Sequence, residues 1–196
     1  KSEMIMRKVL LLMQLVFCLS SNAFGFIITS ATAEEFKKAQ ESNYNIFIDM
    51  NSMHKRNCME LLKKEISRCY IQEDDYEIEY VGWINEMNLC ILKIIDCNNE
   101  DLCLVNCKGY LIQKLLSNIS ISSSGYIATY DIPSGDNYRG IQIYKNRNGK
   151  IKLIETLKSK GWFPISMYWL NSDKLIIKAR LFDDPNSFVY KRLEIQ

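Results

Sequence analysis

Histidine chemistry in this chain rests on one residue, His54. A nucleophilic triad would need His54 to meet a serine or cysteine and an acid such as Asp49. The local sequence instead puts His54 in the first turn of a predicted helix, beside Lys55 and Arg56, where a solvated side chain is expected. A second candidate is the acidic run Glu73, Asp74, Asp75, Glu77 and Glu79, which could hold Ca²⁺ or supply an acid–base pair. It lacks the D-x-D-x-D-G order of a calcium loop. Glu77 and Glu79 alternate with Tyr76, Ile78 and Tyr80, as on a strand with one wet face. A third candidate is a metal site on Cys103 and Cys107 with Cys90 or Cys97; the first two have ligand spacing, but no second close pair completes the set. The sequence therefore offers no catalytic set, metal site or cofactor motif.

It does offer a recognition surface. Trp162, Phe163 and Pro164 adjoin a predicted turn, and Pro133 to Arg139 form a polar loop that contains Asp136, Tyr138 and Arg139. Loops on a rigid β scaffold commonly carry recognition, and Trp, Tyr and Arg dominate binding energy at protein interfaces. For Trp162 core and contact are both open, whereas Trp83 and Trp169 are expected in the core.

Residues 1–25 look like a removable leader. Met4-Ile5-Met6-Arg7-Lys8 is a short basic start, Val9 to Leu19 is an apolar run, and Ala23-Phe24-Gly25 supplies small residues for cleavage after Gly25. A largely apolar run of eleven residues falls short of the roughly 20 needed to span a bilayer, so no stable membrane anchor is expected after cleavage. Without residues 1–25 the chain carries 22 basic and 22 acidic side chains, since Lys1, Arg7, Lys8 and Glu3 go. Formal neutrality argues against nucleic acid as a partner, because that affinity comes from many cations on phosphates. Cys58, Cys69, Cys90, Cys97, Cys103 and Cys107 remain, an even number that points to disulfides in an oxidising compartment, periplasmic or extracellular. Cys97 and Cys103 flank a predicted tight turn and are the first expected pair; Cys58 and Cys69 would then reach Cys90 and Cys107.

The elements that must position these residues change character along the chain. Thr32-Ala33-Glu34-Glu35 is a capping box opening a short helix to about Ser42, with Phe36 and Ala39 inward. Tyr44 to Met50 alternates as a strand, and a helix is predicted from Asn51 or Ser52 to about Tyr70, its apolar stripe including Cys58, Leu62 and Cys69. From Tyr76 onward only strands and turns are predicted. They are 76–81, 89–96, 102–107, 110–116, 126–130, 140–144, 150–157, an aromatic strand ending at Trp169, 175–181 and 188–193.

Within this β region a unit recurs. Trp83-Ile84-Asn85 is followed by Leu89, and Trp169-Leu170-Asn171 by Leu175, with the same six-residue step; Ile121 to Ile127 is a weaker copy. The anchors Trp83, Ile121 and Trp169 lie 38 and 48 residues apart, around the roughly 40-residue period of propeller blades. The unit resembles blades of Tol-type and prolyl-oligopeptidase-type β-propellers, carried by Trp83 with Leu89, Gly125 with Ile127, and Trp169 with Asp173 and Leu175. That resemblance implies four-stranded meanders. Three units are fewer than the roughly four to eight that close a propeller, so an open stack or one bent sheet is expected. Generic antiparallel hairpins would predict the same class: mainly β, with N-terminal helices packed on antiparallel repeats. The expected organisation is a leader (1–25), a helical part with one or two strands (26–82) and a β-repeat part (83–196), the last two forming one domain.

Small size, export and the missing catalytic set together suggest a non-catalytic module that binds another protein. An inhibitor or immunity protein that neutralises a secreted enzyme or toxin fits that description. An envelope hydrolase using the acidic run and a structural subunit of an envelope assembly are the alternatives.

Overall fold

Leu89-Cys90-Ile91-Leu92 has no polar residue to turn towards water, and all four side chains are buried. Such a strand must be covered on both faces, which requires layers on either side of its sheet. The computed structural model, which describes residues 25–42, 77–95, 100–106, 111–133 and 139–196, stacks three antiparallel sheets of four strands each, and the second of them covers the face that carries Leu89 and Ile91. Among the described residues the fold is mainly β, with one α-helix.

The first sheet is a meander of β2 (Glu77–Ile84), β3 (Leu89–Ile95), β4 (Glu100–Asn106) and β5 (Leu111–Leu115). The second is a meander of β6 (Asn118–Ile121), β7 (Tyr126–Tyr130), β8 (Ile141–Arg147) and β9 (Lys150–Leu157). The third takes β10 (Trp162–Trp169), β11 (Lys174–Leu181) and β12 (Phe188–Ile195) in order, and is completed by β1 (Phe26–Ser30) on the outer side of β12. Phe26 pairs with Ile195 and Ser30 with Lys191. Residues 26–30 therefore belong to the C-terminal sheet, and a boundary after residue 82 would cut through β2.

The sheets pack face to face. Leu89, Ile91 and Leu104 of the first meet Ile127 and Tyr144 of the second. The opposite face of the second sheet, with Ala128, Ile141 and Ile143, meets Trp169, Leu175 and Ile177 of the third. β6 runs beside β10 and β5 beside β9, so strands of equal rank are neighbours. Two hydrogen bonds fix the second sheet to the third: Ser124 Oγ donates to the Ser172 carbonyl at 2.6 Å, and Tyr130 Oη to the Ile165 carbonyl at 3.0 Å. Ile165 is free to accept because the ladder slips by one residue between Pro164 and Ser166. A proline cannot donate to a ladder, and it sits here on an edge strand beside a bulge.

The repeat read from the sequence has a structural counterpart. Each sheet begins with a strand, a four-residue turn and a second strand: 85–88, 122–125 and 170–173 separate β2 from β3, β6 from β7 and β10 from β11. Trp83, Ile121 and Trp169 sit at or next to the end of those first strands. All three point to the corresponding side of their own sheets: Trp169 towards the second sheet, Ile121 towards the first, and Trp83 to the first sheet's outer face.

Helix α1 (Ala33–Glu41) covers the outer face of the third sheet. Its start is the expected capping box. The Glu35 amide donates to Thr32 Oγ1 at 3.1 Å, and the Thr32 amide donates to the Glu35 carboxylate at 2.9 Å. Phe36 and Ala39 point inward, Phe36 lying 5.3 Å from Tyr168 and 5.5 Å from Tyr190 between ring centroids. Arg192 of β12 reaches the Glu35 carboxylate, tying the helix start to the sheet. The Thr32 amide and Arg192 together hold the Glu35 carboxyl below its ordinary pKa. The predicted leader, the strand 44–50, the helix 51–70, and with them His54, Cys58 and Cys69, lie outside the described residues, as do Cys97, Cys107, Asp136 and Tyr138.

Candidate functional site

β11 alternates. Leu175, Ile177 and Ala179 face the second sheet, so Ile176, Lys178 and Arg180 face outward. Ile176 lies under α1. Further along the strand, Lys178 and Arg180 stand outside that cluster, and the register sets aromatic rings beside them. Arg180 pairs with Phe163 on β10 and with Phe188 on β12. Residues directly opposite in a ladder point to the same face, so Phe163, Arg180 and Phe188 form a row across three strands. The Phe182 ring stands 5.1 Å from Phe163. Lys178 Nζ lies 4.5 Å from the Phe188 ring centre and the Arg180 guanidinium carbon 5.3 Å from it, both within cation–π range.

Two of these rings are open to solvent: Phe182 is 47% exposed and Phe188 44%. Arg180 Nε is buried and finds no hydrogen-bond partner among the described residues. Aromatic rings beside Arg and Lys are a composition enriched at protein–protein interfaces.

The residues expected at a binding surface separate. Phe163 belongs to the outer row. Trp162 pairs with Leu181, lies on the opposite face and packs half-buried against the core between the second and third sheets. Arg139 sits on the far side of the second sheet. Its Nε and backbone N–H donate to Asp131 Oδ2 at 3.3 and 3.1 Å, and its guanidinium lies 3.9 Å from Asp101 of β4. It thus bridges the first and second sheets. Trp83 and Trp169 are buried, as expected. Lys178, Arg180, Phe182 and Phe188 are the members that sequence reasoning missed, although the alternating cations Lys178 and Arg180 about Ala179 were a signal for an outward face.

The cysteines require a correction. Cys103 carries a free thiol, so it is not linked to Cys97 as expected, and the six cannot all pair with one another. The reason lies in the face it occupies: Cys103 sits opposite Leu92 in the middle of the β3–β4 ladder. Its side chain points into the core with Trp83, Leu92 and Val105. Burial pushes the thiol pKa up to about 11, so it is neither a nucleophile nor a ready metal ligand at neutral pH. Cys90, on the same face, is disulfide-bonded.

No family model, curated protein or solved structure matches this chain. Its function is read from the surface alone. Among the described residues no group of His, Cys, Asp and Glu is placed to hold a metal ion, and no helix is long and apolar enough to cross a membrane. Glu77 lies exposed at the outset of β2, and Glu79 is tied to Lys93 at 3.9 Å with Glu100 on the other side of that lysine at 2.9 Å, a surface ion network.

Proposed function

We propose that this protein is an exported, non-catalytic module that binds another protein through the outer face of its third sheet. The observation that carries this reading is the row Phe163, Arg180 and Phe188, flanked by Lys178 and Phe182 on three rigid strands. Exposed Phe rings this close together are costly to leave in water, and burying one returns roughly 1.5–3 kcal/mol. The matching partner surface is apolar at its centre with carboxylates opposite Lys178 and Arg180. An inhibitor of a secreted enzyme, or an immunity protein for a delivered toxin, is the role we favour. Such proteins work by covering a surface and need no chemistry of their own.

The stacked sheets support a propeller-like reading of the scaffold. Three meanders in sequence, equivalent first turns, and a last sheet completed by an N-terminal strand are features of blades set side by side. Export rests on the leader-like segment 1–25 and places the protein in a periplasm or outside the cell.

The test is capture from the envelope fraction of the source cells with full-length protein as bait. A single partner should be retained by wild type and by His54→Ala, and lost with Phe182→Ala combined with Phe188→Ala. Each ring should contribute about 1–2 kcal/mol to binding, so the double variant should bind at least tenfold more weakly. Retention of the partner by the double variant would refute the assignment of this face, and turnover of a substrate that disappears with His54 would refute the non-catalytic reading.

A further inference from the structure

The hairpin β8–β9 carries a second feature on a different face. Its turn is Asn148-Gly149, with φ of 53° and 79°, the doubly left-handed pair that a two-residue hairpin demands. Around that turn the register sets Arg147 opposite Lys150 and Lys145 opposite Lys152. The same face carries Ile143 further down β8, so all four cations project on the side turned towards the third sheet. Like charges directly opposite each other destabilise a ladder, and here that happens twice in succession. Among the described residues Lys145, Lys150 and Lys152 make no ion pair.

These side chains enclose a cleft of about 270 Å³, lined by Lys145, Arg147, Lys150, Lys152 and Ile154, with no carboxylate in its wall among the described residues. Two devices shape it. The ladder slips between Ile143 and Tyr144, which makes Ile154 the extra residue of a bulge and adds a branched side chain to a wall otherwise formed largely by the alkyl stems of the cations. Lys145 is fixed in place: Nζ donates to the Ser124 carbonyl at 2.8 Å and sits 3.5 Å from the centre of the Tyr126 ring, which itself stacks on Trp169 at 6.0 Å. The cationic head is therefore positioned before any ligand arrives. Burial, with Arg147 nearby, lowers the Lys145 pKa, as expected of a cation short of counter-charge.

We propose that this cleft binds a compact polyvalent anion, a polyphosphate or the phosphate cluster of a small phosphorylated molecule. At the backbone, opposed pairs stand about 5 Å apart and successive pairs about 7 Å apart along the strands, so the four cationic side chains spring from a patch the size of a di- or triphosphate. A peptide carboxylate brings one charge per side chain and cannot match that density. Arg147 suits bidentate contact with phosphate oxygens, the lysines act as point charges, and Ile154 leaves an apolar wall for an attached organic group.

The experiment titrates the full-length protein with sodium tripolyphosphate by calorimetry at low salt. A single saturable site of submillimolar affinity is expected, weakening as salt is raised. Lys150→Gln combined with Lys152→Gln should weaken binding at least tenfold. Its melting temperature should equal or exceed that of wild type, because repulsion across the ladder is relieved. Tripolyphosphate should raise the melting temperature of wild type and leave that of the variant unmoved. A control that neutralises Lys158 and Lys160, two exposed lysines at the other end of β9, should bind like wild type. Equal loss in the control would overturn the site in favour of a general charge effect, and so would absence of saturable binding by wild type. Much tighter binding of a single-stranded oligonucleotide than of tripolyphosphate would overturn the compact ligand in favour of a polymer backbone.

Discussion

Gly140, just before β8, and Gly149, in the β8–β9 turn, have almost the same backbone conformation, with φ of 86° and 79°. A side chain at either position must adopt the left-handed region, which costs an L-residue about 1–2 kcal/mol. Their surroundings differ completely. A Cβ at Gly149 would meet nothing within 4 Å, whereas one at Gly140 would stand 2.4 Å from the Leu157 carbonyl oxygen and 3.2 Å from its carbonyl carbon. That neighbour is backbone in the β8–β9 ladder, where Ile141 pairs with Leu157, and it cannot swing aside as a side-chain end could. Gly149→Ala should therefore cost about 1 kcal/mol, the conformational penalty less roughly 0.5 kcal/mol from the stiffer unfolded chain. Gly140→Ala should add about 2 kcal/mol for the forced shift of packed backbone, giving roughly 3 kcal/mol in all. With about 2–4 °C per kcal/mol for a chain of this size, the two variants should melt about 4–8 °C apart. Thermal and urea unfolding followed by circular dichroism measure the difference directly. Equal destabilisation of the two variants would refute the close approach of Gly140 to Leu157, and with it the position of the strand that starts the Arg139 bridge.

Other outcomes follow from single contacts. Phe36→Ala should cost about 3–5 kcal/mol, because the ring is buried between Tyr168 and Tyr190, and helicity lost in the same transition as strand signal would show that α1 and the third sheet unfold together. Thr32→Ala should remove one half of the capping box and lower stability by about 1 kcal/mol. Glu35 has a folded pKa depressed below 4.5 by the Thr32 amide and Arg192, so the stability it contributes is present above that value and lost as pH falls through the folded one. Wild type and Glu35→Gln should accordingly differ at neutral pH and converge in acid, as read from urea midpoints. Cys103, with its thiol pushed up to about 11, should resist alkylation in the native protein at neutral pH and react once the chain is unfolded; rapid native labelling would mean that the thiol is not packed beside Trp83.

Much of the β region was legible because its signals are local. The strand 150–157 is found where alternation and the Asn148-Gly149 turn put it, and 126–130 likewise. The capping box at Thr32 specified its helix start within four residues. The three anchors stand at or next to the end of the first strand of their sheets. What failed depended on partners distant in sequence. Phe26-Ile27-Ile28-Thr29-Ser30 has strong strand propensity, but its ladder among the described residues is with residues 191–195, and no local pattern announces that pairing. Cys103 was assigned by nearness to a turn, whereas the face of β4 it occupies decides what it can reach. Arg139 resembled a free recognition residue because Asp101 and Asp131 come from two different sheets. Trp162 and Phe163 are adjacent in sequence, and the pleat sends them to opposite faces. The chemistry of the outer face was half legible: Phe163 stood out, while Lys178, Arg180 and Phe188 join it only through the ladder.

The strand that completes the third sheet is synthesised first and finds its neighbour last. Until β12 leaves the ribosome, β1 has nothing to zip onto, and the sheet bearing the proposed docking face has a vacant slot along one border. Two half-finished copies held close together could fill each other's slots by exchange. Because Ile27 and Ile28 keep about two-fifths of their surface exposed even in the finished molecule, that border is the natural starting point for intertwined dimers at high concentration.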